Sequence, residues 1–293
     1  MEKSFGPVRF IQGGNSGKYP YSNSVYVEGA GVLIDAGADA AAYQRLRDGP
    51  GVKEVWLTHY HEDHIAYLDM FADLPLVQMA VEAEALSGLE AFIDWYGITK
   101  PEFRDYWRAL LVKDFNIKPR RAARYFQPGE IIDLGSCSAE VIHAPGHTPG
   151  NCAFFFREPA VLFLGDYDLT SFGPWYGDRD SSIDDTIASV ERLRRIPARV
   201  WLTGHEDGCF ESDPGQAFDR YLAVIDQREQ KLLNYLTEPR TLAEVRDQCF
   251  VYRKPREPKA FFEWGEGAIM GKHLERLLAK GRAVLEDGRY RLI

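Results

Sequence analysis

The chain has 293 residues, a net charge of −9 and 45% apolar residues, enough for one large core or a core with a small appendage. That charge argues against a nucleic-acid partner drawn in by long-range attraction, and no apolar run approaches the about 18 residues of a membrane span. The four cysteines (Cys137, Cys152, Cys209, Cys249) lie far apart with no Cys-x-x-Cys spacing; they read as free thiols, and with no signal-peptide pattern at the start the expected compartment is the cytoplasm.

The first 37 residues carry short β-type runs and tight turns. Val8–Ile11 reads as a strand, and Ser24–Val27 with Val32–Asp35 reads as a hairpin. Ala38–Arg47 has helical composition and stops at Gly49-Pro50-Gly51. The apolar run Val55-Trp56-Leu57 then breaks into Thr58-His59-Tyr60-His61-Glu62-Asp63-His64, followed by apolar positions from Ile65 to Phe71 that suggest a helix. Leu76–Ala80 reads as a further strand. Residues 82–126 change character: Phe92, Trp95, Tyr96, Phe103, Tyr106, Trp107, Leu110, Leu111 and Phe115 fall at helical spacing. Two or three inserted helices are expected there, either packed onto the body or forming a lid over an apolar pocket.

Strand patterns return at 130–135, 139–143, 151–157, 160–164 and 199–203, with a helix at 183–196. Ala217–Leu236 reads as a long helix leaving the body. Thr241–Glu244 has capping-box spacing, Gly267–Ala279 is helical, and 283–292 forms a hairpin about Asp287-Gly288.

The chemistry concentrates at four of these strand ends. Three of the seven histidines, with Asp63, fall between positions 59 and 64; imidazole and carboxylate are standard ligands for zinc and similar ions. In His-x-His an extended backbone puts both rings on one side. His147 is held by the rigid loop Pro145-Gly146-His147-Thr148-Pro149-Gly150. Asp166 and His205 each follow an apolar run and a glycine, and each alone would read as structural. His143, four residues before His147, reads as a strand-end residue, with support of a neighbouring ligand as the alternative.

Together His59, His61, Asp63, His64, His147, Asp166 and His205 resemble the ligand pattern of the metallo-β-lactamase superfamily. The segments around His147, Asp166 and His205 look like its glyoxalase II-like branch. The resemblance covers roughly residues 8–210. It implies an α+β fold, a four-layer αββα sandwich with a helical insert at about 82–126, in a catalytic domain of residues 1–215. It also implies that His59, His61 and His147 hold one divalent metal, that Asp63, His64 and His205 hold a second, and that Asp166 bridges them. Zinc comes first, with iron or manganese as alternatives. Residues 216–293, a linker helix and a helix–helix–hairpin unit, resemble the small winged-helix-like domain of some lactamase-like hydrolases. Four glutamates interrupt its basic face, which favours a packing or dimerisation role over nucleic-acid contact.

Such a site implies a metal-dependent hydrolase. Two ions lower the pKa of a shared water, whose hydroxide attacks an ester or thioester carbonyl, with Asp63 orienting it. No Gly-x-Ser-x-Gly nucleophile motif competes. The expected chemistry is glyoxalase II-like or acyl-thioesterase-like on a small-molecule substrate, with Tyr167, Phe172 and Trp175 as candidate pocket walls and Tyr176 nearby. A lactonase is the nearest alternative, then a ribonuclease or phosphodiesterase using the winged helix, then an iron-dependent persulfide dioxygenase or a nucleic-acid-binding sensor. A homodimer through the insert or the C-terminal unit is left open.

Overall fold

A computed structural model describes residues 1–293. Strands β1 (Glu2–Phe5), β2 (Val8–Ile11), β3 (Ser24–Val27), β4 (Val32–Ile34), β5 (Glu54–Trp56), β6 (Leu76–Met79) and β7 (Arg124–Phe126) lie side by side in chain order. The first four pair antiparallel and the rest parallel. A second sheet holds β8 (Ile131–Asp133), β9 (Ser138–His143), β10 (Cys152–Phe156), β11 (Val161–Phe163), β12 (Val200–Leu202) and β13 (Cys209–Phe210). It is antiparallel except for the parallel β11–β12 pair.

The sheets face each other across a core of alternating inward residues. Phe10, Val25, Ile34, Trp56 and Val77 from the first sheet meet Val141, Phe154, Phe163 and Leu202 from the second. Each fully buried side chain of this kind contributes about 1.5–3 kcal/mol. On the outer face of the first sheet lie α1 (Ala40–Asp48), α2 (Leu89–Trp95) and α3 (Pro101–Lys113). On the outer face of the second lie α4 (Ile183–Leu193) and the first half of α5 (Gly215–Tyr235). Caps set the helix starts: Asp39 accepts from the Ala42 amide at 2.7 Å and Ser182 from the Asp185 amide at 3.2 Å. The result is the αββα sandwich.

Several local expectations change. No regular helix forms over 65–71; one short 3₁₀ turn, Leu68–Phe71, stands there instead, preceded by another at Glu62–His64. The backbone explains it. The His64 carbonyl accepts from the Ala36 amide at 2.6 Å, and the Tyr67 amide donates to the Ala36 carbonyl at 2.8 Å. Those groups are taken by the loop after β4 and cannot join an i→i−4 ladder. Gly37 makes that approach possible, since a Cβ there would sit 1.7 Å from the Asp63 carbonyl oxygen. The end of the insert is not helical either: Arg124–Phe126 is an edge strand of the first sheet.

Helix α5 does not leave the body. Phe218 and Tyr221 pack under the second sheet, and the Tyr221 hydroxyl donates to the Asp166 carbonyl at 3.0 Å. After α6 (Leu242–Arg246), whose Thr241–Glu244 capping box is complete, α7 spans Lys259–Ala279 and so starts two turns earlier than Gly267. Its Gly265 fits a close approach, since a Cβ would lie 2.6 Å from the Tyr252 hydroxyl. Strands β14 (Ala283–Glu286) and β15 (Arg289–Leu292) form the closing hairpin. No helix is long and apolar enough to cross a membrane.

Candidate metal centre

The loops after β5, β9, β11 and β12 converge on one edge of the sandwich. The Cys152 amide donates to the Thr58 carbonyl at 2.9 Å, which ties the two sheets together, and the Gly204 amide donates to the Gly165 carbonyl at 2.7 Å, which ties the loops after β11 and β12 within the second sheet. All seven ligand-type residues expected from the sequence meet here. His59, His61, His147 and Asp166 form one group, and Asp63, His64 and His205 another, each with its ligand atoms within 4.8 Å of one another.

The spacings suit a metal ion. His147 Nε2 lies 3.1 Å from His59 Nε2 and 3.0 Å from His61 Nδ1. Asp166 Oδ2 lies 3.8 Å from His59 Nε2 and 3.5 Å from His147 Nε2. A tetrahedral ion with bonds of about 2.0–2.1 Å holds its ligand atoms roughly 3.3 Å apart. In the second group His205 Nε2 is 3.2 Å from Asp63 Oδ2 and 3.4 Å from Asp166 Oδ2. His64 Nε2 and Asp166 Oδ1 face each other at 2.8 Å, yet both are buried without a hydrogen-bond partner. Two orphaned acceptors aimed at each other are what a shared cation would satisfy.

The remaining imidazole nitrogens all point the same way chemically. His64 Nδ1 is 2.8 Å from Asp35 Oδ2, and His59 Nδ1 is 2.9 Å from Thr58 Oγ1, which itself donates to Asp35. His147 Nδ1 meets the Trp175 carbonyl at 3.1 Å, and His205 Nδ1 meets the Gly17 carbonyl at 3.0 Å. His61 is reversed, with Nε2 2.7 Å from Asp178 Oδ2. Donation to these acceptors leaves a lone pair on Nε2 of four rings and on Nδ1 of His61, each facing the cluster.

With no metal charge present, the carboxylates outweigh burial and favour protonated His61, His64 and His205, so a bound cation has to displace those protons to reach the lone pairs. Burial would raise the Asp166 carboxyl, but His64, His205 and His59 outweigh it and hold it well below the carboxylate range. Burial disfavours the His61 cation, yet Asp178 lifts that imidazole to about 9. His147 is pushed down to about 4 by burial and by His61.

Asp178, Asp35 and Asp168 are site residues that the sequence reading passed over. Asp168 joins Asp166 and His205 in a third group of ligand atoms. Asp178 lies 12 residues past the Asp166 strand end, in a loop with no periodic signal. Glu62 is likewise buried; it accepts from Tyr19 at 2.8 Å and from Tyr96. His143 holds the Pro149 carbonyl at 2.8 Å through Nε2 and so braces the His147 loop rather than joining the cluster.

That loop is braced a second time by Glu82, which accepts from Thr148 Oγ1 and from the Gly150 amide at 2.8 Å, leaving Oε2 buried and unpartnered. Burial pushes the Glu82 carboxyl up to about 7. A carboxyl raised on folding binds more protons folded than unfolded, so its ionisation costs stability as pH rises from about 4.5 to about 7. Glu82→Gln keeps the acceptor and removes that charge. Its stability relative to the parent should therefore rise between pH 5 and pH 8, by on the order of 3 kcal/mol, as read by urea unfolding at both pH values. A pH-independent difference would refute this.

The cluster opens into a cavity of about 500 Å³. His61, Asp63, His147, Asp166, Asp168 and His205 form its floor, and its walls are aromatic: Tyr19, Tyr96, Trp107, Phe172 and Trp175, with Tyr252, Phe261, Phe262 and Trp264 from the C-terminal segment. Phe172 and Trp175 thus reach the pocket. Tyr167 does not; it is fully buried under the second sheet, with its hydroxyl on the Ala144 and Pro145 carbonyls at 2.9 Å. Tyr176 is also turned away, onto His273.

A two-sheet sandwich with helices outside and a His/Asp cluster at one edge is the architecture of a metallo-hydrolase fold. Residues 19–205 match the metallo-beta-lactamase superfamily, and the chain belongs to it. It is similar to the acyl-coenzyme A thioesterase MBLAC2 of Gallus gallus, at 32% identity over 65% of this chain and 71% of that one. It is similar to the hydroxyacylglutathione hydrolase GloC of Haemophilus influenzae, at 30% identity over 59% of this chain and 78% of that one. A metallo-beta-lactamase family protein of Thermus thermophilus shares the fold over 99% of both chains, with a TM-score of 0.74 at 23% identity.

Proposed function

We propose that this chain is a dinuclear metal-dependent hydrolase acting on the carbonyl of a thioester or ester with a bulky apolar acyl group. The observation that carries the reading is the aromatic cavity opening directly on the His/Asp cluster. The thioesterase and the hydroxyacylglutathione hydrolase among the relatives support thioester over lactone or phosphodiester.

His59, His61 and His147 would hold one divalent ion, Asp63, His64 and His205 the other, and Asp166 both; zinc, iron and manganese all suit such donors. When bound, the ions supply an activated water and polarise the substrate carbonyl. The chain does the rest. The aromatic walls exclude water and seat the acyl group. Asp63, at the cavity floor, orients the attacking water and takes its proton. Asp35 and Asp178 keep the imidazoles in the required tautomers.

A panel of acyl thioesters, esters and lactones tests this. Thioester turnover that a chelator abolishes and divalent metal restores is expected; a metal-loaded protein that cleaves none of them overturns it. Asp63→Asn should lower kcat by roughly 10²–10⁴-fold, and unchanged turnover with two metals retained would remove Asp63 from the mechanism. Asp178→Asn should weaken metal retention by about 10–100-fold in a competing-chelator titration, and unaltered retention would show that His61 needs no such partner.

A further inference from the structure

A second cavity, of about 330 Å³, adjoins the first. Five residues line both: Phe172, Glu206, Tyr252, Arg256 and Phe262. Its chemistry differs from that of its neighbour. Lys231, Arg253 and Arg256 stand exposed around it, and Arg228 lies beneath. Glu206 is the one carboxylate lining it.

None of these four cations is paired with a carboxylate, whereas several arginines elsewhere in the chain are. Arg104, Arg108, Arg194, Arg276 and Arg282 all sit on carboxylates. Arg228 is 3% exposed and donates to neutral acceptors, the Pro174 carbonyl at 2.8 Å, the Phe172 carbonyl at 2.7 Å and the Tyr176 hydroxyl at 3.0 Å. No carboxylate pairs with it directly; Glu266 acts on it only at longer range. Arg256 lies over the Phe262 ring, 5.8 Å from its centroid, and Lys231 touches the Phe250 carbonyl at 3.3 Å. In a chain of net charge −9, four unpaired cations around one pocket form a local anion trap.

We infer that this groove binds the phosphate groups of the thiol carrier whose acyl thioester is cleaved next door. The inference rests on the thioester reading of the metal cavity. The acyl group lies among the aromatic walls, the thioester carbonyl lies over the His/Asp floor, and the carrier runs past Arg256 into the cationic groove. Water is the co-reactant. Its oxygen bonds to the carbonyl carbon, the C–S bond breaks, and the thiolate leaves with that bond's electron pair and takes a proton. A carrier ending in phosphates is selected over a short neutral thiol.

The test uses the full-length, metal-loaded protein with two probes, coenzyme A and pantetheine, which share the thiol arm and differ in the phosphorylated nucleotide. Calorimetry should show coenzyme A binding at least 10-fold tighter than pantetheine at low salt, with the difference shrinking as salt is raised. The double variant Lys231→Glu/Arg253→Glu should lose that preference. It should also lower, at least 10-fold, the ratio of kcat/KM for an acyl-coenzyme A to that for the same acyl group on N-acetylcysteamine. Both positions are exposed, and a matched unfolding midpoint checks the fold. Equal binding of the two probes, or a preference surviving the double variant, overturns the inference. So does charge-dependent binding of single-stranded RNA without a coenzyme A preference. If neither thioester is cleaved while the coenzyme A preference and its loss are seen, the groove stands and the thioester reading falls.

Discussion

Asp166→Ala should abolish activity: kcat/KM falls by three or more orders of magnitude, about 4 kcal/mol of barrier, and the protein purifies with less metal. No other side chain reaches both ligand groups as Asp166 does. Oδ2 lies within 3.8 Å of His59, His147 and His205, and Oδ1 lies 2.8 Å from His64. Its loss takes one ligand from each proposed ion and leaves five imidazoles with less neutralising charge. The fold should persist, because the Asp166 backbone is held separately by Tyr221. Metal analysis and unfolding on the same preparation separate a lost site from a lost fold. Full turnover with two ions bound would defeat the bridging assignment.

Trp264→Ala should cost about 3–5 kcal/mol of stability and raise KM at least 10-fold. Trp264 is 7% exposed and packs on three rings: Trp107 at 4.8 Å, Tyr96 at 5.4 Å and Trp175 at 5.5 Å between centroids. These belong to the helical insert and to the loop after Asp166, so one side chain joins three separate stretches around the cavity. Truncation leaves a void among residues that cannot close over it. Because Trp264 belongs to the wall proposed to seat the acyl group and not to the His/Asp floor, the loss should appear more in KM than in kcat. Trp264→Phe should recover most of both. A change below about 1 kcal/mol in urea unfolding, with KM unaltered, would show that the wall does not depend on it.

The ligand-type residues are legible in the sequence because each follows an apolar strand at a turn, a pattern that survives without coordinates. The strands are legible for the same reason: Phe154, Val161 and Trp56 stand in short β-branched and aromatic runs. What escapes is whatever depends on distant partners. Asp178 reaches His61 across 117 positions, and nothing near it marks the contact. The missing helix over 65–71 is a tertiary effect, with Ala36 taking the hydrogen bonds that a helix would use. The aromatic residues of the C-terminal segment carry no pocket signal in the sequence, since an aromatic at helical spacing looks the same whether it faces a neighbouring helix or a cavity. Tyr167 errs in the opposite direction: nearness to Asp166 in sequence suggests the pocket, while its side chain turns inward.

The wall contributed by α7 also orders events in time. Synthesis runs at about 5–20 residues per second. The stretch from His205 to Trp264, 59 residues, therefore leaves the ribosome roughly 3–12 s after the last ligand-type histidine. For that interval every His/Asp residue of the cluster has been synthesised while the α7 wall has not, and for part of it the α5 support beneath the second sheet is missing too. An ion bound at that stage would meet a cluster still open on the side that Trp264 later covers.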